Sequence, residues 1–92
     1  MKRRRMVVKY TGNVQGVGFR HAVKTVATGY EVVGTVRNLP DGGVEMIAEG
    51  RSEELIAFRE AIPDAGLRHF IRNEDVSWGD AANELRGFEI AR

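Results

Sequence analysis

Three glycines and an arginine gather in a short stretch near the start of the chain, TGNVQGVGFRH, at residues 11–21. Gly12, Gly16 and Gly18 allow the backbone to approach a ligand closely and to turn its N–H groups toward that ligand. Arg20 follows, and its planar guanidinium can donate to two oxygens of one phosphate. Backbone donors beside a fixed cation suit a phosphate group better than they suit a neutral ligand.

The spacing of these residues excludes two better-known phosphate loops. The Walker pattern ends in Gly-Lys followed by a hydroxyl residue, whereas Gly18 is followed here by Phe19 and Arg20. The dinucleotide fingerprint is G-x-G-x-x-G, whereas this loop has the order G-x-x-x-G-x-G, and 92 residues are too few for a full Rossmann fold. One structural alternative stays open, namely a tight turn whose glycines only relieve crowding.

The segments on either side of the loop predict what positions it. Met6, Val8 and Tyr10 alternate with more polar neighbours, which predicts a strand over residues 5–10. Apolar residues then recur at helical spacing from Phe19, which predicts a helix over residues 19–29 that Gly29 ends. The loop would therefore lead into a helix N-terminus, where free N–H groups and a partial positive charge favour an anion.

A second polar candidate, Asn38, stands at the end of the next predicted strand. The stretch YEVVGTVRN is rich in β-branched residues, LPDGG has the composition of a turn, and VEMIAE predicts a third strand. These two strands should form a hairpin in the same sheet as the first strand, so Asn38 could come near the loop. Asparagine also initiates turns well, and that explanation of Asn38 stays open.

The rest of the chain completes a familiar order of elements. Ser52 is positioned to cap a second helix that Pro63 ends, a long fourth strand is expected over residues 66–78, and FEIAR predicts a short closing strand. The order βαββαβ plus a closing strand predicts an α+β, ferredoxin-like sandwich with one antiparallel sheet and two helices on one face. This fold hosts enzymes and binding modules alike, so it does not by itself assign a function.

Two motifs of the chain resemble the signatures of the acylphosphatase family. GNVQGVGFR is similar to the family's first signature, G-x-V-Q-G-V-G-F-R, and matches it at every fixed position. GTVRNLPDGGVEMIAEG resembles the second, through Gly34, Asn38, residues 42–44 and Gly50, and the closing GFEI resembles the family's C-terminal end. The resemblance spans essentially the whole chain, so residues 1–92 are expected to form one acylphosphatase-like domain.

The resemblance implies an enzyme that hydrolyses the carboxyl-phosphate anhydride of small acyl phosphates to a carboxylate and inorganic phosphate. Arg20 would bind the phosphoryl group and Asn38 would position the attacking water. The cradle would be the backbone of Gln15, Gly16, Val17, Gly18, Phe19 and Arg20. No metal and no other cofactor is implied. The sequence departs from the family at Thr35 and His21, where an aromatic residue is common.

Composition limits the chemistry and the setting. The absence of cysteine removes disulfides, thiolate nucleophiles and cysteine-based zinc sites, and His21 and His69 lack a metal-ligand spacing. Net charge is only +1, so anion binding must come from local arrangement. No apolar run could span a membrane, and the basic start, residues 1–4 above all, is interpreted as a flexible, solvated terminus rather than a secretory signal. A cytoplasmic monomer is expected.

Two other functions compete with hydrolysis. The same fold could serve as a non-catalytic module that binds phosphate or a partner protein. RNA-recognition domains share the order βαββαβ, but they stack bases on exposed aromatic residues of the central strands. Strand three has no aromatic residue and strand one offers only Tyr10, so nucleic acid is not expected as a partner.

Overall fold

A computed structural model of the chain describes residues 2–91. Its main elements follow the predicted order, and two short 3-10 turns, Pro63–Ala65 and Arg68–Phe70, connect the second helix to the fourth strand. In chain order the elements are β1 (Arg4–Gly12), α1 (Phe19–Ala27), β2 (Val32–Asn38), β3 (Val44–Gly50), α2 (Ser52–Ala61), β4 (Ile71–Asp80) and β5 (Phe88–Ile90).

The strands form a single five-stranded sheet in the order β4-β1-β3-β2-β5. β1 lies antiparallel between β3 and β4, and β2 pairs antiparallel with β3, as expected. β5 differs, because it pairs with β2 in parallel and makes the sheet mixed. Its direction is set by the connection that returns from the far edge strand, β4, across the sheet, a feature that residue alternation does not encode.

The core lies between the two helices and one face of the sheet. The first three strands bury alternate residues along most of their length, and each helix buries residues one turn apart, as the apolar patterns predicted. The rings of Tyr10, near the end of β1, and Phe19, at the start of α1, pack with their centroids 5.0 Å apart. This contact, together with the buried Val14, fixes the loop at residues 13–18 to the core at both of its ends.

Several element boundaries differ from the predictions, and three of them bear on how the elements begin or end. The expected long strand begins only at Ile71, because the chain first takes a left-handed turn at Gly66 and then the second 3-10 turn. Ser52 is the first residue of α2 rather than its cap, and Arg51 precedes it without a side-chain cap bond. α1 ends at Ala27, where backbone turn hydrogen bonds begin to replace the helical pattern before Gly29 is reached.

Hydrogen bonds join the basic start of the chain and β3 to the loop between β4 and β5. Glu49 of β3 is fully buried, and its carboxylate accepts hydrogen bonds from Arg5 Nε at 2.7 Å, Ala82 N at 3.0 Å and Asn83 N at 3.1 Å. Arg3 Nε donates to Asn83 Oδ1 at 2.9 Å. Burial acts to raise the pKa of Glu49, but these donors outweigh it, so the pKa lies below its usual range.

Candidate phosphate-binding site

The loop between β1 and α1 has the backbone geometry of an anion nest. Gly16 and Gly18 both have a φ of 78°, in the left-handed region, whereas Val17 between them has no positive φ. Backbone that alternates in this way turns successive N–H groups toward one side, where they can donate to a single anion. Residues with a side chain are strained at such a φ, which explains the glycines at both positions.

Crowding does not explain these two glycines. A Cβ placed on Gly16 or on Gly18 would meet nothing within 4 Å, so the backbone conformation alone requires glycine there. Gly12 is different, because a Cβ at that position would lie 2.3 Å from the carbonyl oxygen of Phe70. The crowding explanation therefore applies to Gly12 and not to the two glycines of the nest.

The N–H groups of the nest and of the first helical turn are free. Within residues 2–91, the backbone N–H groups from Gly16 to His21 make no hydrogen bond. The first N–H of the region to find a partner is that of Ala22, which donates to Gly18 O at 3.0 Å. No acidic side chain occupies the first turn of α1. The positive end of the helix is thus left for an external anion.

Arg20 lies within this group of donors in the chain and carries a cation there. It is the second residue of α1, it is half-buried, and its guanidinium pairs with no acidic side chain in the described part of the chain. The adjacent His21 is exposed. Successive side chains of a helix point in different directions, so His21 is not expected to act on the same ligand as Arg20.

Asn38 lies at the same end of the sheet as the loop. Tyr10, Val44 and Asn38 form one row across β1, β3 and β2, just where β1 leads into the loop. Neighbouring strands are about 4.8 Å apart, so Asn38 is about 10 Å across the sheet from Tyr10. Alternation along β2 puts Asn38 on the same side as the buried Val36, the side on which α1 packs.

One side chain joins the loop to the hairpin that carries Asn38. Gln15 Nε2 donates to Leu39 O and to Gly43 O, both at 2.8 Å. Leu39 directly follows Asn38, and Gly43 directly precedes β3. From the sequence, Gln15 was expected to contribute only its backbone, because nothing in the local pattern reveals a contact with residues 24 and 28 positions away.

The remaining candidates lie apart from this arrangement. Thr35 pairs with Ile47 and belongs to the opposite face of the sheet from Asn38, so its departure from the family pattern concerns packing on that face. His69 is exposed in the second 3-10 turn and lines a cavity of about 250 Å³ beside the start of the loop. No group of three acidic or histidine side chains within residues 2–91 could hold a metal ion.

Another cavity lies at the other end of the sheet. It measures about 460 Å³ and is lined by residues that include Arg3, Tyr30 and Arg51. Arg51 pairs with Glu31 and with Glu53, both at 3.7 Å, and Arg3 Nε donates to Asn83 Oδ1, so both arginines of this cavity already bond to other side chains. Of the helices that the structure describes, none has the length and apolar character needed to cross a bilayer.

Comparison with known proteins identifies the family to which this site belongs. The family model for Acylphosphatase matches residues 6–90. The chain belongs to the acylphosphatase family. An acylphosphatase of Salinibacter ruber is 38% identical over 89 residues, covering 97% of this chain and 94% of that protein. An acylphosphatase of Listeria welshimeri is 48% identical over 93 residues, covering 98% of each.

The structural comparison agrees with the sequence comparison. The crystal structure of acylphosphatase from Bacillus subtilis matches with a TM-score of 0.80 and 31% identity, covering 100% of both chains. The acylphosphatase family and the ferredoxin-like fold, both expected from the sequence, are thereby confirmed. The two signatures through which the sequence resembled this family are the loop before α1 and the hairpin that carries Asn38.

Proposed function

We propose that this acylphosphatase hydrolyses small acyl phosphates through the loop, Arg20 and Asn38. Water attacks phosphorus, the bond between phosphorus and the bridging oxygen breaks, and its electron pair leaves with the carboxylate. The products are a carboxylate and inorganic phosphate. The observation that carries this proposal is that the N–H groups from Gly16 to His21, Arg20 among them, make no hydrogen bond within residues 2–91.

Charge stabilisation is the first contribution of the site. The non-bridging oxygens of the phosphoryl group would accept hydrogen bonds from the backbone of Gln15, Gly16, Val17, Gly18, Phe19 and Arg20. The Arg20 guanidinium would stabilise the charge that spreads over those oxygens in the transition state. Donors fixed in advance do not need to reorganise during the reaction, which makes them more effective than water.

Positioning is the second contribution. The side-chain oxygen of Asn38 would accept a hydrogen bond from the attacking water and hold it in line with the leaving oxygen. The water's proton passes to a phosphoryl oxygen of the substrate. A carboxylate leaves readily, because the pKa of its conjugate acid is about 4, so no general acid has to protonate it. The reaction therefore needs no metal or other cofactor.

The setting of the protein is part of the same proposal. We infer a cytoplasmic monomer that binds no nucleic acid. A chain without cysteine fits a reducing compartment. The open face of the two central strands presents alternate residues such as Val7 and Ile47, with no aromatic residue among them in the part of the chain described, which argues against base stacking.

The test is hydrolysis of benzoyl phosphate by the purified protein in EDTA. We expect turnover that is indifferent to EDTA and that falls by about 1000-fold or more in Arg20→Ala, the loss typical of removing a charge-stabilising arginine from a phosphoryl-transfer site. Arg20→Lys should recover little, because an ammonium lacks the planar fork of donors that matches two oxygens of one phosphate. Arg86→Ala, in the exposed loop before β5, is the matched control and should keep native turnover.

Asn38→Ala tests the second role in the same assay. It should lower kcat while inorganic phosphate still inhibits with nearly its native constant, because the cradle is intact. Native turnover in either variant would refute the assigned roles. A folded native protein that binds phosphate but does not exceed the spontaneous rate of hydrolysis would instead indicate the non-catalytic binding module.

A further inference from the structure

We propose that Gln15 is a positioning residue, whose side chain sets the distance between the phosphate cradle and Asn38. This inference rests on the proposed function for its effect on catalysis. The backbone of Gln15 contributes to the cradle, whereas its side chain points away from that role and bonds to the hairpin. Its amide donates both of its hydrogens to carbonyl oxygens, of Leu39 and of Gly43.

The two carbonyls that accept from Gln15 belong to a turn that is already closed by its own hydrogen bonds. Leu39 N donates to Gly43 O at 2.8 Å, and Gly42 N donates to Leu39 O at 3.1 Å. Gly43 N donates to Asp41 Oδ1 at 2.9 Å. These hydrogen bonds make the turn rigid. Because Gln15 bonds to the turn at two points, its position relative to Asn38, the residue just before Leu39, is also fixed.

The loop has few other ties to this hairpin. Its ends are held by the buried side chains of Val14 and Phe19, and Asn13 N donates to Phe70 O at 3.0 Å, on the far side from the hairpin. Among the described residues, no side chain of residues 12–20 other than Gln15 makes a hydrogen bond to another segment. The spacing between the nest and the hairpin thus depends chiefly on this one amide.

A glutamine meets these requirements, and the residues nearest to it in size do not. Two carbonyl acceptors need two N–H donors on one short side chain, which a glutamate at neutral pH lacks. Asparagine is one methylene shorter and does not reach both oxygens from the same backbone position. Methionine has similar length and volume but no donor, so Gln15→Met removes the two bonds while largely preserving the packing.

The expected effect is on alignment rather than on phosphate binding. Displacing a catalytic group by about 1 Å can cost about 100-fold in rate. We therefore expect Gln15→Met to lower kcat by about 10- to 100-fold, while the inhibition constant of inorganic phosphate changes by less than about threefold, because Arg20 and the nest still bind it. A purely structural role would lower stability and leave kcat per folded molecule unchanged.

A double-mutant cycle with Asn38 shows whether Gln15 acts through that residue. If it does, Gln15→Met should cost nothing further in kcat when Asn38 is already alanine. Independent effects that multiply would overturn the proposal. Lys9→Met is the matched control, because Lys9 Nζ bonds to Asp41 of the same turn at 2.5 Å without touching the loop, and it should leave kcat unchanged.

A measurement that does not depend on turnover separates this proposal from the proposed function. In ¹⁵N-labelled native protein, added phosphate should shift the backbone signals of residues 16–20 and also the side-chain amide signal of Asn38. In Gln15→Met the loop signals should still shift, while the Asn38 response is lost. If the native protein lacked turnover but showed this pattern, the enzymatic proposal would fail and the positioning role would stand. An Asn38 response that survives in Gln15→Met would refute the positioning role.

Discussion

Glu49 offers a prediction whose size can be worked out from the contacts of one buried carboxylate. Its Oε2 accepts from Arg5 Nε and Ala82 N, and its Oε1 accepts from Asn83 N. In Glu49→Gln the single amide oxygen can replace Oε2, and the new NH₂ group then faces the N–H of Asn83. The variant therefore loses one bond outright and weakens two others.

Hydrogen bonds to a buried charge contribute about 1.5–3 kcal/mol each, and those to a neutral acceptor about 1 kcal/mol. Arg5 is 33% exposed, so its ion pair is partly screened and counts for less. The loss should come mainly from the two peptide donors and amount to about 2–3 kcal/mol of unfolding free energy. For a domain of this size that corresponds to a fall in Tm of about 10–20 °C.

The effect should also depend on pH in a defined direction. The pKa of Glu49 lies below its usual range in the folded protein, so its contribution is complete above the ordinary glutamate pKa of about 4.3. That contribution is lost as pH falls through the lower, folded-state pKa. Glutamine does not titrate. The stability gap between the native protein and Glu49→Gln should therefore be full near neutral pH and narrow in acid.

Urea denaturation followed by the fluorescence of Trp78, the single tryptophan, measures this gap at a series of pH values. Glu45→Gln is the matched control, four residues earlier on the same face, where Glu45 pairs with the exposed Arg37 at 2.9 Å. It should cost less than about 1 kcal/mol. The reasoning would be refuted by a Glu49→Gln protein as stable as the native one, or by a gap of constant size down to acid pH.

Two further predictions concern the ends of the phosphate loop. Tyr10 Oη is fully buried without a hydrogen-bond partner in the described residues, and burial, reinforced by the charge of Glu74, raises its pKa. Tyr10→Phe should therefore raise the free energy of unfolding by about 1 kcal/mol in urea denaturation, and a loss of stability would show that the hydroxyl has a partner. Gly18→Ala should cost about 1 kcal/mol because of the positive φ, and should weaken inhibition by phosphate more than Gly29→Ala, a glycine without positive φ. Equal phosphate inhibition in these two variants would contradict the nest.

Apolar periodicity predicted the first three strands, both helices and their order, because these elements bury one face along their whole length. It failed between residues 66 and 70, where a 3-10 turn that exposes both Arg68 and His69 precedes the fourth strand. The parallel pairing of β5 was also missed. Pairing depends on how the chain crosses the sheet, and no local signal in a three-residue strand records that path.

The sequence predicted which residues belong to the candidate site, but it did not predict the tertiary contacts that arrange them. The glycines and Arg20 stand together in the sequence, so their chemistry could be inferred there. The tie from Gln15 to the turn after Asn38 is a tertiary contact, and so is the burial of Glu49 by a loop more than 30 residues away. Gly34 is similar, since its need to lack a side chain comes from Ile47 O, 2.1 Å from where a Cβ would stand.

The donors of the nest are peptide groups, and this affects which substitutions the site can tolerate. Every residue except proline has the same backbone N–H, so exchanging Val17 for another side chain leaves the donors in place. The feature that has to be kept is the backbone conformation of the loop. That conformation depends on Gly16 and Gly18, which have no side-chain functional group. Peptide N–H groups also do not ionise in water near neutrality. The nest itself therefore adds no pH dependence to the affinity for an anion. Anion binding by the nest therefore depends on the backbone torsion angles of this loop. The pH of the solution and the identity of the side chain at Val17 should change it little.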